Sequence, residues 1–328
     1  MRKQAAGGGT LEWCEQARAK INLFLAVGRR RDDGYHPVAT VIQPVDLCDL
    51  VRVRVEKESA GRGRSGAAEE CAGARGITAG NGTGGLEIHV ASTHPEAPGG
   101  PANLAWRAVK LLEERIKAAA PDVKGITVEI EKRIPVAAGL GGGSADAAAV
   151  LSGLNRRLCL GLAQSELEGL AARIGSDVPA CVAGGSVLCT GRGEVVEPLE
   201  ARPMWCVLAK PAGGLSTAAV YAEFDKAHPG GAAEGLVVPA GLIAALRRGD
   251  VMGLAPHLRN DLQDAAAQLH PGILPLLAEL RRAGAASAML SGSGPAVFGL
   301  FESDLAAHAA AKRLERLAEW AWWGSTAV

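Results

Sequence analysis

Aromatic residues are scarce in this chain of 328 residues, where phenylalanine, tyrosine and tryptophan together make up 4%. So few ring faces leave no platform for stacking the bases of a nucleic-acid strand. Excess charge of one sign is missing as well: 35 lysines and arginines balance 35 aspartates and glutamates, so no overall field draws the protein to nucleic acid or an anionic membrane. No apolar window reaches the length of a membrane span. The basic start, MRKQ, lacks the apolar stretch of a secretory signal behind it. Cysteine pairs are absent too. Cys14, Cys48, Cys71, Cys159, Cys181, Cys189 and Cys206 are odd in number, scattered and without a C-x-x-C pair. That excludes a zinc ribbon and a disulfide framework and leaves small buried hydrophobes of a reducing compartment. These absences lead us to expect a soluble cytoplasmic protein.

Glycine, by contrast, is plentiful: 43 residues, about twice the usual share. Four of them fall within five positions in PVAAGLGGGSADAAAV, residues 135–150, immediately before a run of alanines. A strand pattern precedes this stretch and a helix pattern follows it. The free N–H groups and positive end of that helix therefore point at the glycines, an arrangement suited to a phosphate. Ser144 would add a hydroxyl to the phosphate or to its metal. In a chain this rich in glycine, a tight turn for helix packing is the competing reading. No Gly-Lys pair occurs anywhere in the sequence, which excludes a Walker A loop. A dinucleotide fingerprint would need a third glycine where Ser144 stands.

The remaining pattern is α+β. Strands are expected at 17–27, 36–45, 50–56 and 125–134, and in GSVLC, MWCVLAK, ASAML and AVFGLF. Residues 57–85 lose all periodicity and read as a flexible surface insertion. Helices are expected over 103–117, from the glycine loop to about Arg157, and over SELEGLAARIG with Ser165 as cap and Glu168 as its box partner. Beyond about residue 215 the pattern is largely helical, including one helix through LAPHLRNDLQDAAAQL.

Other residues stand out for their chemistry. Lys20 lies inside the apolar strand AKINLFLAV, either as an edge residue facing water or as a partly buried cation that needs a carboxylate or phosphate partner. Asp177, in GSDVPACVAGG, is either a helix cap or a carboxylate able to orient or deprotonate a hydroxyl. A Lys–Asp pair beside a phosphate loop is the constellation for phosphoryl transfer to an alcohol. Tyr35, His36 and Tyr221 offer aromatic faces and a ring nitrogen for a heteroaromatic base, although His36 alone reads as a surface turn residue. SGSGP, 291–295, is a β-turn or a second phosphate-facing loop. Trp320, Trp322 and Trp323 form a closing strand against the core or an exposed contact patch, the core being expected.

Taken in order, AKINLFLAVGRRRDDGYH, NLAWRAVKLL, the glycine loop, IGSDVPACVAGG, LSTAAVY, RNDLQ and LSGSGPAVF resemble the GHMP kinase superfamily, named for galactokinase, homoserine kinase, mevalonate kinase and phosphomevalonate kinase. The resemblance implies a two-domain α+β fold. A ribosomal protein S5 domain 2-like ATP-binding domain would span 1–199 and a C-terminal α/β domain 200–328, with the active site in the cleft between them. K-I-N-L-F-L combined with D-G-Y-H points to the members acting on a cytidine diphosphate derivative of methylerythritol. The implied reaction is ATP-dependent phosphorylation of its C2 hydroxyl, on the non-mevalonate isoprenoid route.

The resemblance makes Asp177 the catalytic base and Lys20 its partner. Asn22, Tyr35, His36, Thr217 and Tyr221 would bind this substrate. Asn103, Lys132, Pro135, Gly139, Leu140, Gly141, Gly142, Gly143, Ser144 and Ala145 would hold ATP, with Mg2+ at Ser144. Asp146 adds a negative charge close to the phosphates. Two readings stay open beside this one: another small-molecule kinase of the homoserine or mevalonate type, and a non-catalytic nucleotide-binding regulator on the same scaffold.

Overall fold

A computed structural model describes residues 9–58, 85–229 and 235–327. The insertion expected over 57–85 thus lies, apart from its ends, outside the described residues. Polar and apolar residues alternate at the start of β1 (Thr10–Val27) and give way to an apolar run interrupted by Lys20 and Asn22, so the strand is half-covered at first and fully buried from Ala19 onward. β2 (Val38–Lys57) runs antiparallel to it. The two strands expected at 36–45 and 50–56 are therefore one. The intervening Asp49 does not break the ladder, because its buried carboxylate accepts hydrogen bonds from the backbone N–H groups of Arg133 and Ile134. The β1–β2 register shifts between Arg18 and Lys20 and again between Asn22 and Phe24. Such bulges re-aim side chains, and here they bracket Lys20 and Asn22.

The first sheet continues through β3 (Glu87–Ser92) and β4 (Val123–Glu131) on one side of β2. β5 (Ser186–Thr190) pairs with the other reach of β2 and carries β6 (Val195–Leu199), a short and largely solvent-facing strand that the sequence pattern does not announce. Helices α1 (Leu104–Ala119), α2 (Gly142–Arg157), α3 (Gln164–Ala172) and α4 (Val178–Ala183) bury their apolar faces on one side of this sheet. α3 begins earlier than Ser165: the cap position is Ala163, whose N–H donates to Glu166 at 2.9 Å. Alanine has no side-chain oxygen, so only half of a capping box is present.

The second sheet is built from β7 (Trp205–Lys210), β9 (Ser287–Leu290), β10 (Val297–Phe301) and β11 (Trp320–Ser325), in the order β11-β7-β10-β9. Between them in sequence, β8 (Arg259–Asn260) crosses back and pairs in parallel with β1. α5 (Thr217–Ala227), α8 (Gln263–Leu269), α9 (Ile273–Arg282) and α10 (Asp304–Leu314) share one core with this sheet. α6 (Ala240–Arg248) and the short α7 (Val251–Leu254) close another, in which Ile21 and Leu23 of β1 meet Leu208, Phe298 and Leu300 of the second sheet.

The single helix expected over 254–269 is interrupted. Asn260 donates its amide to the carbonyls of Leu290 and Gly292, and Asp261 accepts the N–H of Val27, so the chain is extended there. As expected, the three tryptophans lie on a closing strand against the core: β11 is an edge of the second sheet, its half-buried tryptophans pack against the cores, and Trp323 stacks on His308 at 4.7 Å. Of the described cysteines, only Cys189 and Cys206 are buried, Cys14 and Cys159 are exposed, and all six are free thiols.

Candidate active site

A cavity of 910 Å³ opens between the glycine loop, β1, α5 and the 291–295 turn. Every site residue expected from the sequence lines it except Ala145, which is buried and faces a smaller cavity of 250 Å³ on the other side of the loop.

The loop is held from both sides. Gly139 takes φ +79°, and a Cβ there would come within 2.8 Å of the Gly294 nitrogen, so the glycine stretch and the SGSGP turn are in backbone contact. Ala296 N–H donates to Ala138 O at 3.0 Å and Ser291 Oγ to Gly139 O at 3.2 Å, which ties the two segments together. SGSGP is thus the brace of the loop. Gly141, at φ +71°, sits at the cap of α2 without a capping side chain. The N–H groups of Gly142, Gly143 and Ser144 therefore open the helix with no partner within it, directed at the cavity wall that they form.

Lys20 lies directly against this loop. Its backbone N–H donates to Leu140 O at 3.0 Å, and its ammonium stands 3.1 Å from Asp177 Oδ2. The Lys20 side chain is buried (6% exposed), whereas that of Asp177 is 39% exposed and open to the cavity. Asp177 occupies the N-cap position of α4 but makes no side-chain cap hydrogen bond, so its carboxylate is spent on Lys20 and not on the helix. The ammonium also donates to Asn22 Oδ1 at 2.8 Å. Asn22 is oriented in turn by donating to Thr40 Oγ1 at 2.8 Å, and Thr40 donates to Phe24 O at 2.7 Å. Thr40 carries no signal in the sequence beyond being a polar residue in an apolar strand.

From Lys20 the wall runs to Ser293, which shares a hydrogen bond with Thr217 at 2.8 Å. Tyr221 lies one turn further along α5, its ring centroid 5.0 Å from that of His36. Burial pushes the Tyr221 phenol up, and the charge of Asp177 adds to this. His36 is buried and its Nε2 lies 2.7 Å from Asp225 Oδ1. Asp225 was not foreseen. Its signal was the spacing: Thr217, Tyr221 and Asp225 are each four residues apart, one stripe of a helix. Tyr35 is 52% exposed, and Arg192, also unforeseen, stands over its ring at 4.8 Å.

At the opposite end, the Asn103 side chain is already engaged as the cap of α1, accepting from Ala105 N–H and donating to Pro98 O, both at 2.8 Å. Lys132 is no free cation. Its buried ammonium is paired with Asp49 and, at 2.9 Å, with Asp146 of α2. Burial works against the Lys132 charge, but Asp146 and Asp49 outweigh it and raise its pKa. Burial pushes the Asp146 carboxyl up to about 7; Lys132 opposes this and Asp49 reinforces it. One Asp146 oxygen, Oδ1, is buried without a hydrogen-bond partner among the described residues. Among the described residues no group of three or more His, Cys, Asp or Glu side chains is placed to hold a metal, and no helix is long and apolar enough to cross a membrane.

Comparison with known proteins agrees with this geometry. Residues 103–185 match the GHMP kinases N terminal domain and 242–319 the GHMP kinases C terminal domain. A 4-diphosphocytidyl-2-C-methyl-D-erythritol kinase of Synechococcus sp. (strain JA-3-3Ab) is 43% identical over 296 residues, 88% of this chain and 84% of that protein. The protein of the same name from Shouchella clausii (strain KSM-K16) is 39% identical over 90% of this chain and 87% of its own. Among solved structures, a 4-(cytidine 5'-diphospho)-2C-methyl-D-erythritol kinase superposes with a TM-score of 0.72 at 32% identity, covering 96% of this chain and 100% of that one. The L. major mevalonate kinase superposes with a TM-score of 0.67 at 16% identity, over 97% of each chain, a likeness of fold alone. Identities of this size along almost the whole length leave one assignment: the chain belongs to the 4-diphosphocytidyl-2-C-methyl-D-erythritol kinase family of the GHMP kinases.

Proposed function

We propose that the chain phosphorylates the C2 hydroxyl of 4-diphosphocytidyl-2-C-methyl-D-erythritol at the expense of ATP, with the Lys20–Asp177 couple and the glycine loop as its chemical centre. The observation that carries the assignment of roles is the 3.1 Å ion pair between Lys20 and Asp177 beside the unpartnered start of α2. Asp177 orients the acceptor hydroxyl and takes its proton as the new P–O bond forms. Paired with the Lys20 ammonium at 3.1 Å, Asp177 contributes mainly by alignment and late proton acceptance. Lys20 spreads positive charge over the reacting oxygens, where negative charge develops during transfer. Asn22 and Thr40 fix the direction of that ammonium.

The N–H groups of Gly142, Gly143 and Ser144 hold phosphate oxygens, and Gly139 and Gly141 keep the backbone close enough to do so. Asn103 and Lys132 border the nucleotide end. With both ends of Asn103 and the ammonium of Lys132 committed to the protein, they shape this end more than they grip it. At the other end Tyr35, His36 and Tyr221 enclose the cytosine, and Thr217 stands at the diphosphate. Mg2+ fits this donor set sparsely, through the half-buried Ser144 hydroxyl and the phosphate oxygens themselves. When bound, it would neutralise phosphate charge. The division into domains is proposed at 199/200, just before the second sheet begins, and the working unit as a monomer or homodimer. A coupled ADP-release assay tests the activity. Turnover should be seen with the cytidyl-methylerythritol substrate and not with homoserine or mevalonate; turnover confined to either of the latter would overturn the substrate.

A further inference from the structure

The contact between His36 and Asp225 decides how a base could be read. Asp225 Oδ1 lies 2.7 Å from His36 Nε2, and a carboxylate can only accept. The proton of this contact therefore sits on Nε2. The second oxygen of Asp225 faces Arg30 at 3.9 Å. In the neutral ring the other nitrogen, Nδ1, then carries a lone pair. Among the described residues it has no hydrogen bond, and it is not sealed from solvent, so it keeps access to the cavity that His36 lines. The ring cannot turn freely to exchange its nitrogens, because Tyr221 lies against it at 5.0 Å and Phe224 meets it edge-on at 6.2 Å.

We propose that Asp225 is a positioning residue that fixes His36 in the Nε2–H form, leaving Nδ1 as an acceptor that selects a pyrimidine bearing an exocyclic amino group over one bearing a carbonyl there. This rests on the kinase reading above and deepens it. Cytosine presents an N–H donor at its 4-position, whereas uracil presents an oxygen. The first completes a hydrogen bond to Nδ1; the second sets two lone pairs against each other.

The test compares kcat/KM for the cytidyl substrate and its uridyl analogue in the native chain, Asp225→Asn and Asp225→Glu. The native chain should prefer the cytidyl form by about 10- to 100-fold. Asp225→Asn is isosteric but can donate to Nε2, which moves the ring proton to Nδ1. It should narrow the preference at least about tenfold through KM, with KM for ATP unchanged; Asp225→Glu should restore part of it. Independently of substrate, 15N shifts of the His36 ring in the native protein should show Nε2 protonated and Nδ1 bare. An unchanged base preference in Asp225→Asn, equal weakening of ATP and cytidyl substrate, or a protonated Nδ1 would each overturn the proposal. Absence of turnover with either pyrimidine by the native chain would overturn the kinase reading itself.

Discussion

Gly141 and Lys20 occupy adjoining space to the limit of contact. A Cβ added to Gly141 would lie 2.9 Å from Lys20 Cγ and 3.0 Å from its Cε. The glycine loop and the Lys20 side chain are therefore set against each other by one missing methyl group. Gly141→Ala meets two penalties, a side chain at φ +71° and the displacement of a buried lysine. We expect a stability loss of about 1–3 kcal/mol and a fall in kcat of at least about tenfold, since a shift of the order of 1 Å at a reacting group is costly. Thermal unfolding and steady-state kinetics measure both. A variant with native kcat would show that the loop and Lys20 do not depend on each other.

Asp177 is open to the cavity and holds no part of the fold beyond Lys20, so its role can be separated from stability. Asp177→Asn keeps the shape and loses the charge. The variant should fold and bind ATP as the native chain does, while kcat drops by about 10²- to 10⁴-fold. Near-native turnover would remove Asp177 from the chemistry and leave Lys20 with the phosphate loop to account for it.

Much of this site was legible because its residues contradict their surroundings. A lysine in the apolar run AKINLFLAV requires a partner, and Asp177, 157 positions later, is that partner. Glycines packed before alanines require an unusual backbone, and Gly139 and Gly141 supply it at positive φ. The illegible parts have an equally physical cause. Asp49 appears to interrupt an apolar pattern at VDLCD, yet the strand runs through it because partners from a distant segment, Lys132, Arg133 and Ile134, satisfy its carboxylate. The helix read through LAPHLRNDLQ fails for the same reason: Asn260 and Asp261 bond to Leu290, Gly292 and Val27, far away in the chain. Periodicity reports local preference, and these residues are decided by non-local hydrogen bonds.

His36 is buried beside Tyr221 at the end of the cavity away from Lys132, with Thr217 and Ser293 between it and Lys20. Truncating it should therefore act on one substrate only. For His36→Ala we expect KM for the cytidyl substrate to rise by about 10-fold or more, as for the loss of a buried hydrogen bond and ring contact, with KM for ATP within about twofold of native. Equal increases in both would move the base site elsewhere in the cavity.

The Lys132 cluster gives a pH dependence whose sign can be stated in advance. Asp146 has a folded-state pKa raised to about 7, chiefly by burial, above the 3.8 of an unperturbed aspartate. Between those values the native state binds more protons than the unfolded chain, so the stabilising contribution of protonated Asp146 is complete below about 4 and is lost as pH rises through 7. The slope from one such group cannot exceed about 1.4 kcal/mol per pH unit. Asp146→Asn copies the protonated form and removes the titration while leaving Lys132 paired with Asp49. The stability of the variant relative to the native chain should therefore increase from pH 5 to about pH 7, by at most on the order of 2 °C in Tm per pH unit, and level off by pH 8. Thermal unfolding of both proteins across that range measures it. Two curves that stay parallel would mean that Asp146 remains charged throughout, held so by Lys132 against the cost of its burial.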